Sequence, residues 1–341
     1  MKTVLVTGGC GFIGSHFIKH LFEHYDYNII ILDALTYAGN TDNIPQEIKG
    51  DSRFSFWHGN IRNADLVNEL IAQSDVVVHF AAESHTARSI YDNTIFYETD
   101  VLGTQVIANA VLKHINTVER FIHISTSEVY GTAVEIPMTE EHPLNPTTPY
   151  ASAKTGADRL VYSYYKTYGI PAIILRLFNV YGSNQHLEKV IPRFITSALL
   201  GESLTIHGTG QYTRDWNYVG DVCKAVDKAM HVDLDTIKGQ VINIGTGSDT
   251  SIKFIADTIR TMVGNLQSTI TYMDDRLGQV DRHVSSIVKA KQILDWESKI
   301  RFTDGLAKTI YWYINNPEWW KRLLWMRKVA TKNREGKVEY Y

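Results

Sequence analysis

Cysteine is almost absent from this chain: Cys10 and Cys223 are the only two in 341 residues. Two thiols cannot build a disulfide framework, and no metal-ligand spacing accompanies them, so no metal site is expected. Long apolar runs are missing as well, none approaching the ~18–20 residues that cross a bilayer. The apolar stretch at the N-terminus is broken at once by glycines and lacks the layout of a secretory signal. Cytoplasmic residence is the resulting expectation. A basic excess is also lacking. Lys and Arg total 34 against 37 Asp and Glu, a net charge of −3. A dedicated nucleic-acid binder usually leaves a basic footprint, so no nucleic-acid partner is expected. Internal repeats and low-complexity tracts are absent, and 44% hydrophobic with 21% charged residues is an ordinary globular balance.

The charge is unevenly spread. Residues 321–341 hold seven basic and two acidic groups, a net +5, which leaves −8 on the rest of the chain. Trp312, Trp319, Trp320 and Trp325 lie in and before this segment. A final helix packing its tryptophans on its own domain is the leading expectation, with a membrane-surface or partner-docking segment as the alternative. Residues 332–341 read as a polar end, either disordered or bound to a neighbour.

What is present is a regular alternation. Short apolar strands are predicted over 3–7, 28–32, 54–58, 76–82, 120–125 and 172–177. Helical patterns fall between them over 13–24, 64–73, 92–114 and 151–168. This order predicts an α/β fold, a Rossmann-like doubly wound parallel sheet. After residue 178 the pattern weakens: helices over 190–200, 219–232, 252–263 and 307–314 alternate with strands over 204–207 and 241–245. The expected organisation is an NAD-binding domain over 1–178, with segments near 214–246 returning to it. A smaller α/β substrate-binding lobe over 179–320 and the basic tail complete it.

The first strand runs into Gly8, Gly11 and Gly14, spaced G-x-x-G-x-x-G, with Phe12 and Ile13 opening the following helix. Glycine lets the backbone turn tightly beside a pyrophosphate, and the helix N-terminus offers unpaired N–H groups. Strand, glycine turn and helix together predict dinucleotide binding. Asp33 ends the second strand, where a carboxylate accepts from both ribose hydroxyls and repels a 2′-phosphate. NAD is therefore favoured over NADP, unless Asp33 merely caps a turn.

Tyr150 and Lys154 form a Tyr-x-x-x-Lys pair, and positions i and i+4 share a helix face. The ammonium lowers the tyrosine pKa, and the tyrosinate can take an alcohol proton during hydride transfer. About 25 residues earlier, Ser125, Thr126, Ser127 and Glu128 end a strand on the same sheet edge. A hydroxyl there can hold the oxygen that becomes a carbonyl. The bland alternative is a surface Tyr/Lys pair.

With these residues the sequence resembles the extended short-chain dehydrogenase/reductases acting on nucleotide sugars, the dTDP-glucose 4,6-dehydratase branch above all. The stretches that carry the likeness are 7–14, 35–40, 81–89, 125–131, 150–154, 179–182, 188–192, 214–216 and 275–282. The resemblance implies an NAD-dependent lyase that oxidises C4 of an NDP-hexose, deprotonates C5 and expels water from C6. Tyr150 would be the first base, assisted by Lys154 and Thr126, and Glu128 the C5 base. Asn60, Ile61 and Ala81 would lie along the cofactor. Ser84, Asn179, Glu188 and Lys189 would surround the substrate, with Arg214 and Arg276 on its diphosphate. His85 would support its loop. A homodimer built on helices 92–114 and 151–168 is also implied.

The likeness departs at Ser127, where dTDP-glucose dehydratases usually carry the aspartate that protonates the leaving hydroxyl. GDP-mannose 4,6-dehydratases and UDP-glucuronate decarboxylases share the Thr-Ser-Glu order. A decarboxylase, a 4-epimerase or a 5,6-dehydratase on the same fold therefore stands as the alternative outcome. A protein using the fold only to bind would not need the full Tyr150, Lys154 and Glu128 set. Asn60, Ala87 and Asp100 depart in smaller ways, standing where relatives often carry Asp, Asp and Asn.

Overall fold

The computed structural model describes residues 1–340. Seven parallel strands form the central sheet: β1 (Thr3–Thr7), β2 (Asn28–Asp33), β3 (Phe54–His58), β4 (Val76–His79), β5 (Arg120–Thr126), β6 (Ala172–Leu177) and β7 (Val241–Ile244). Their spatial order is β7-β6-β5-β4-β1-β2-β3. The chain reverses its winding between β1 and β4, and in such sheets ligands bind outside the carboxyl ends of the strands at that point. The inner strands are apolar throughout and buried on both faces; Val4, Leu5 and Val6 of β1 are fully buried, as are Val77 and Val78 of β4. The fold class is the Rossmann-like doubly wound sheet.

Helix α1 (Phe12–His24) follows the glycine turn, with Gly11 as its N-cap and no side-chain cap. Its first N–H groups are therefore left for a ligand. Helix α2 (Pro149–Tyr168) starts two residues before the predicted position. The cause is local: Thr148 accepts from the Ala151 N–H at 3.2 Å, and Pro149 fits the first turn. The helix Val219–His231 packs against α1 and shares the core on that face of the sheet. A separate core gathers Leu187, Phe194, Trp216, Ile255, Leu306 and Trp320 in the second lobe.

Three expectations on local structure are corrected. The helix predicted over 92–114 is broken into a short turn (Thr94–Phe96), a π-helical stretch (Tyr97–Gly103) and a regular helix (Thr104–Lys113). The extra residue in the π-turn brings Asp100 inward, where it accepts the Glu83 N–H at 2.8 Å. The strand predicted over 76–82 ends at His79, because its partner β1 ends opposite it at Thr7. Residues 80–82 then leave the sheet to line the crevice.

The C-terminal segment is not one helix. A short helix (Pro317–Lys321) and a 3-10 turn (Leu324–Arg327) lead into a hairpin of Ala330–Lys332 and Val338–Tyr340. Asn333 builds its turn, accepting the Glu335 and Lys337 N–H groups at 3.0 Å. Thus 332–340 closes a hairpin, with its turn over 333–337 and its second strand over 338–340, and is not a loose polar end; Tyr341 lies outside the described residues. Trp320 is buried in the second core, whereas Trp325 is 71% exposed. No helix among the described residues is long and apolar enough to cross a membrane.

Candidate active site

One cavity of about 470 Å³ opens along the carboxyl ends of β1, β4, β5 and β6. Every site residue predicted from the sequence lines it: the glycine turn, Asp33, Asn60, Ile61 and Ala81 at one end, Thr126–Glu128, Tyr150 and Lys154 at the middle, and Ser84, Asn179, Glu188, Lys189, Arg214 and Arg276 beyond.

The cofactor end fits a dinucleotide. Gly8 has φ +71°, and a Cβ there would lie 2.6 Å from the Ala81 backbone nitrogen. A Cβ on Gly14 would lie 2.4 Å from the Gly8 carbonyl oxygen. Asp33 is buried and accepts the Cys10 N–H at 2.9 Å and the Leu35 N–H at 2.8 Å, one on each oxygen. Burial pushes its carboxyl up, and the two N–H groups pull it back. Each oxygen keeps a second lone pair for a ribose hydroxyl. Gly8→Ala is expected to weaken cofactor binding strongly, because the positive φ alone costs about 1–3 kcal/mol and the clash is with backbone. Titration of the purified variant with NAD checks this; wild-type affinity would sink the assignment.

Tyr150 and Lys154 stand one turn apart on α2. Lys154 is buried and donates to the Ile124 carbonyl at 2.8 Å. Burial lowers its pKa, opposed by the Asp100 and Asp158 charges. Burial raises the Tyr150 pKa, helped by Asp100 and Glu128 and opposed by the Thr126 hydroxyl. The Tyr150 backbone N–H donates to Ser89 Oγ at 3.1 Å, fixing the start of α2 against the 86–91 helix. Glu128 sits on the 3-10 turn Ser127–Tyr130, whose N-cap Thr126 accepts the Glu128 N–H at 3.2 Å.

At the far end the arginines divide. Arg214 is buried and donates to the neighbouring Thr213 carbonyl at 2.9 Å. Arg276 donates to Gln279 at 2.9 Å. Among the described residues neither forms an ion pair, so both forks remain available to an anion. Arg282 pairs with Asp249 at 2.7 Å and does not line the cavity. Glu188 is buried, and burial would raise its pKa, but His85, Lys189, His186 and Arg88 hold it at about 2. Arg88 donates to it at 2.6 Å and stacks over the Tyr37 ring at 4.1 Å. His85 accepts the Arg88 N–H at 3.4 Å and so caps the 86–91 helix.

A family profile for GDP-mannose 4,6 dehydratase matches residues 5–309. The chain belongs to this family. Within it, the chain is 41% identical to the low-salt glycan biosynthesis protein Agl12 of Haloferax volcanii, covering 92% of this chain and 99% of that protein. It is 37% identical to a dTDP-glucose 4,6-dehydratase of an Actinoplanes species, over 93% and 99%. The crystal structure of DesIV, a dTDP-glucose 4,6-dehydratase from Streptomyces venezuelae with NAD bound, superimposes with a TM-score of 0.89 at 37% identity, covering 94% and 99%.

Several residues that line the cavity or lie behind it carry no sequence motif or were not singled out from one. Asp158 continues the row of Tyr150 and Lys154 by one further i+4 step, a signal that was available. Tyr212, His207 and Arg193 line the substrate end without any local motif. His283 lies behind Ser127, from 156 residues away in the chain.

Proposed function

We propose that this protein is an NAD-dependent nucleotide-sugar 4,6-dehydratase, converting an NDP-hexose into its 4-keto-6-deoxy sugar with loss of water. The observation that carries the reading is that Tyr150, Thr126, Ser127 and Glu128 share one cavity with both the glycine turn and the two arginines lacking acidic partners. NAD bound at the glycine turn supplies a hydride acceptor for C4 and then a donor for C6.

The chain's own groups move the protons. Tyr150 takes the proton of the C4 hydroxyl, and the Lys154 charge favours the phenolate that does so. The Thr126 hydroxyl holds the same oxygen as it becomes a carbonyl. That ketone acidifies C5, and Glu128 takes the C5 proton and later returns it. The C6 hydroxyl leaves as water, Ser127 being the nearest candidate to assist it. Arg214 and Arg276 hold the diphosphate, Asn179 and Ser84 the sugar end, and Glu188 and Lys189 the nucleoside. Asn60, Ile61 and Ala81 flank the cofactor.

The test is a panel of nucleotide hexoses incubated with purified protein, the products being weighed. Loss of water is the expected result. Loss of carbon dioxide would identify a decarboxylase, and an isomer of unchanged mass an epimerase. We further assign a cytoplasmic homodimer. Tyr97, Leu102 and Tyr168 are exposed on the helices expected to pair, and both cysteines are free and buried. A monomer mass by light scattering would remove the dimer.

A further inference from the structure

Ser127 stands where dTDP-glucose 4,6-dehydratases usually keep a carboxylic acid, and a serine hydroxyl is far too weak an acid to replace it alone. The structure shows what lies behind it. Ser127 Oγ is 3.2 Å from His283 Nδ1, and His283 Nε2 is 2.8 Å from the Gly131 carbonyl oxygen. A carbonyl only accepts, so Nε2 carries a hydrogen in every protonation state. In the neutral ring Nδ1 is therefore the acceptor, and the only hydrogen of Ser127 is turned away from the cavity. In the imidazolium Nδ1 also carries a hydrogen. Ser127 Oγ then accepts from the ring and points its own hydrogen outward. Ser127 lines the cavity and His283 does not; the ring is fully buried.

We propose that His283 is the positioning residue and proton source for Ser127, the two together replacing the missing acid at the elimination step. The inference rests on the 4,6-dehydratase reading above. Glu128 takes the C5 proton, and the electron pair left on C5 forms the C5–C6 double bond as the C6–O bond breaks. The departing oxygen takes the Ser127 hydroxyl hydrogen, and Ser127 takes the Nδ1 hydrogen of His283. Water leaves and His283 is left neutral. It is recharged from solvent through Ser127. The proton delivered to Tyr150 from the C4 hydroxyl balances the one carried off in water, so the cycle is neutral overall.

Three titratable groups face the ring: Glu128 from the 3-10 turn, Arg214 from the strand Thr213–Arg214, and His142 from the loop beside it. Burial lowers the His283 pKa; Glu128 raises it, and Arg214 and His142 lower it. A diphosphate seated on Arg214 offsets that nearby positive charge, so substrate binding favours the charged ring at the moment the acid is needed. Elimination is therefore expected to fall as pH rises through the His283 transition.

The experiment uses the full chain with NAD and three probes, dTDP-glucose, UDP-glucose and GDP-mannose. His283→Gln and Ser127→Ala are each expected to slow water loss by about 100-fold. C4 oxidation persists in both and is seen as absorbance of the reduced cofactor in a single turnover. Ser127→Asp supplies a carboxylic acid directly, so it is expected to rescue His283→Gln and to abolish the His283 limb of the pH profile. Wild-type elimination with an unchanged pH profile in His283→Gln overturns the inference. So does an equal loss in His283→Gln with and without Ser127→Asp, which would make the ring merely structural. Should His283→Gln fail to fold, Ser127→Ala leaves the ring anchored on Gly131, and full elimination by that variant overturns the inference equally. A wild-type protein that dehydrates none of the probes would defeat the proposed function itself, and this inference with it.

Discussion

Glu128→Gln is expected to leave a protein that oxidises its substrate at C4 and goes no further. The amide is the same size as the carboxyl, and the backbone N–H that anchors the turn on Thr126 Oγ1 is untouched. What is lost is the proposed base for C5. Positioned general bases contribute about 10²–10⁴-fold, so water loss should drop by that factor. Tyr150, Lys154 and the hydroxyl of Thr126 remain, and in the proposed mechanism they handle the first proton. The reduced cofactor should therefore accumulate on the protein, visible by its absorbance, while mass spectrometry finds no dehydrated sugar. Dehydration at the wild-type rate would show that another group takes the C5 proton. The contrast with His283→Gln is informative, since both stall after oxidation. Glu128→Gln should block exchange of the C5 hydrogen with solvent, whereas His283→Gln leaves that exchange running.

The second large effect is on stability. Asp158 is fully buried on α2, one turn beyond Lys154. It accepts Arg176 Nε at 2.9 Å and Nη2 at 3.0 Å, and Ser125 Oγ at 2.6 Å. Arg176, itself buried, also donates to Tyr130 Oη at 2.9 Å, and Tyr130 donates to Asn243 Oδ1 at 2.7 Å. One network thus ties α2 to β5, β6 and β7, with Tyr150 and Lys154 on the same helix. Asp158→Ala strands the Arg176 charge in the core, and breaking a buried pair this way costs about 3–5 kcal/mol. The urea midpoint should fall accordingly; an unchanged midpoint would refute the role. Burial alone would raise the Asp158 pKa, but Arg176, Arg159 and Ser125 hold it well below the usual carboxylate range. A depressed pKa means its contribution is complete above about pH 4 and is lost only as pH falls further into acid.

The parts of the site that could be read in the sequence are those whose chemistry lies within one turn or loop. The glycine spacing is visible because strand, turn and helix follow one another directly, and in the fold a Cβ on Gly8 or Gly14 would meet backbone atoms. Tyr150 and Lys154 are visible because i and i+4 share a face. The helix expected over 92–114 is broken in the structure, because apolar periodicity does not register a π-turn. That turn depends on Asp100 reaching the Glu83 N–H across the fold. The tail divides: Trp312, Trp319 and Trp320 lie on helices packed on the second core as expected, while beyond Arg327 the composition gives no sign of the hairpin turn that Asn333 builds.

The chain's own order of residues was enough to determine a Rossmann-like sheet with a glycine turn at its crevice, and to single out Tyr150, Lys154 and Glu128 as the set the proposed chemistry uses. It also showed that no carboxylic acid precedes Glu128. What stands in its place was decided only in three dimensions. No periodicity links Ser127 to a histidine 156 residues away, and only packing of the 281–286 segment under Gly131 brings them together. The opening contrast of charge is resolved there too. In a chain of net −3, folding pairs Arg282 with Asp249 and leaves Arg214 and Arg276 lining the cavity without an ion-pair partner among the described residues, as the proposed anionic substrate requires. Local spacing records which groups are available. Desolvation and long-range packing decide which of them keep an open valence for the ligand.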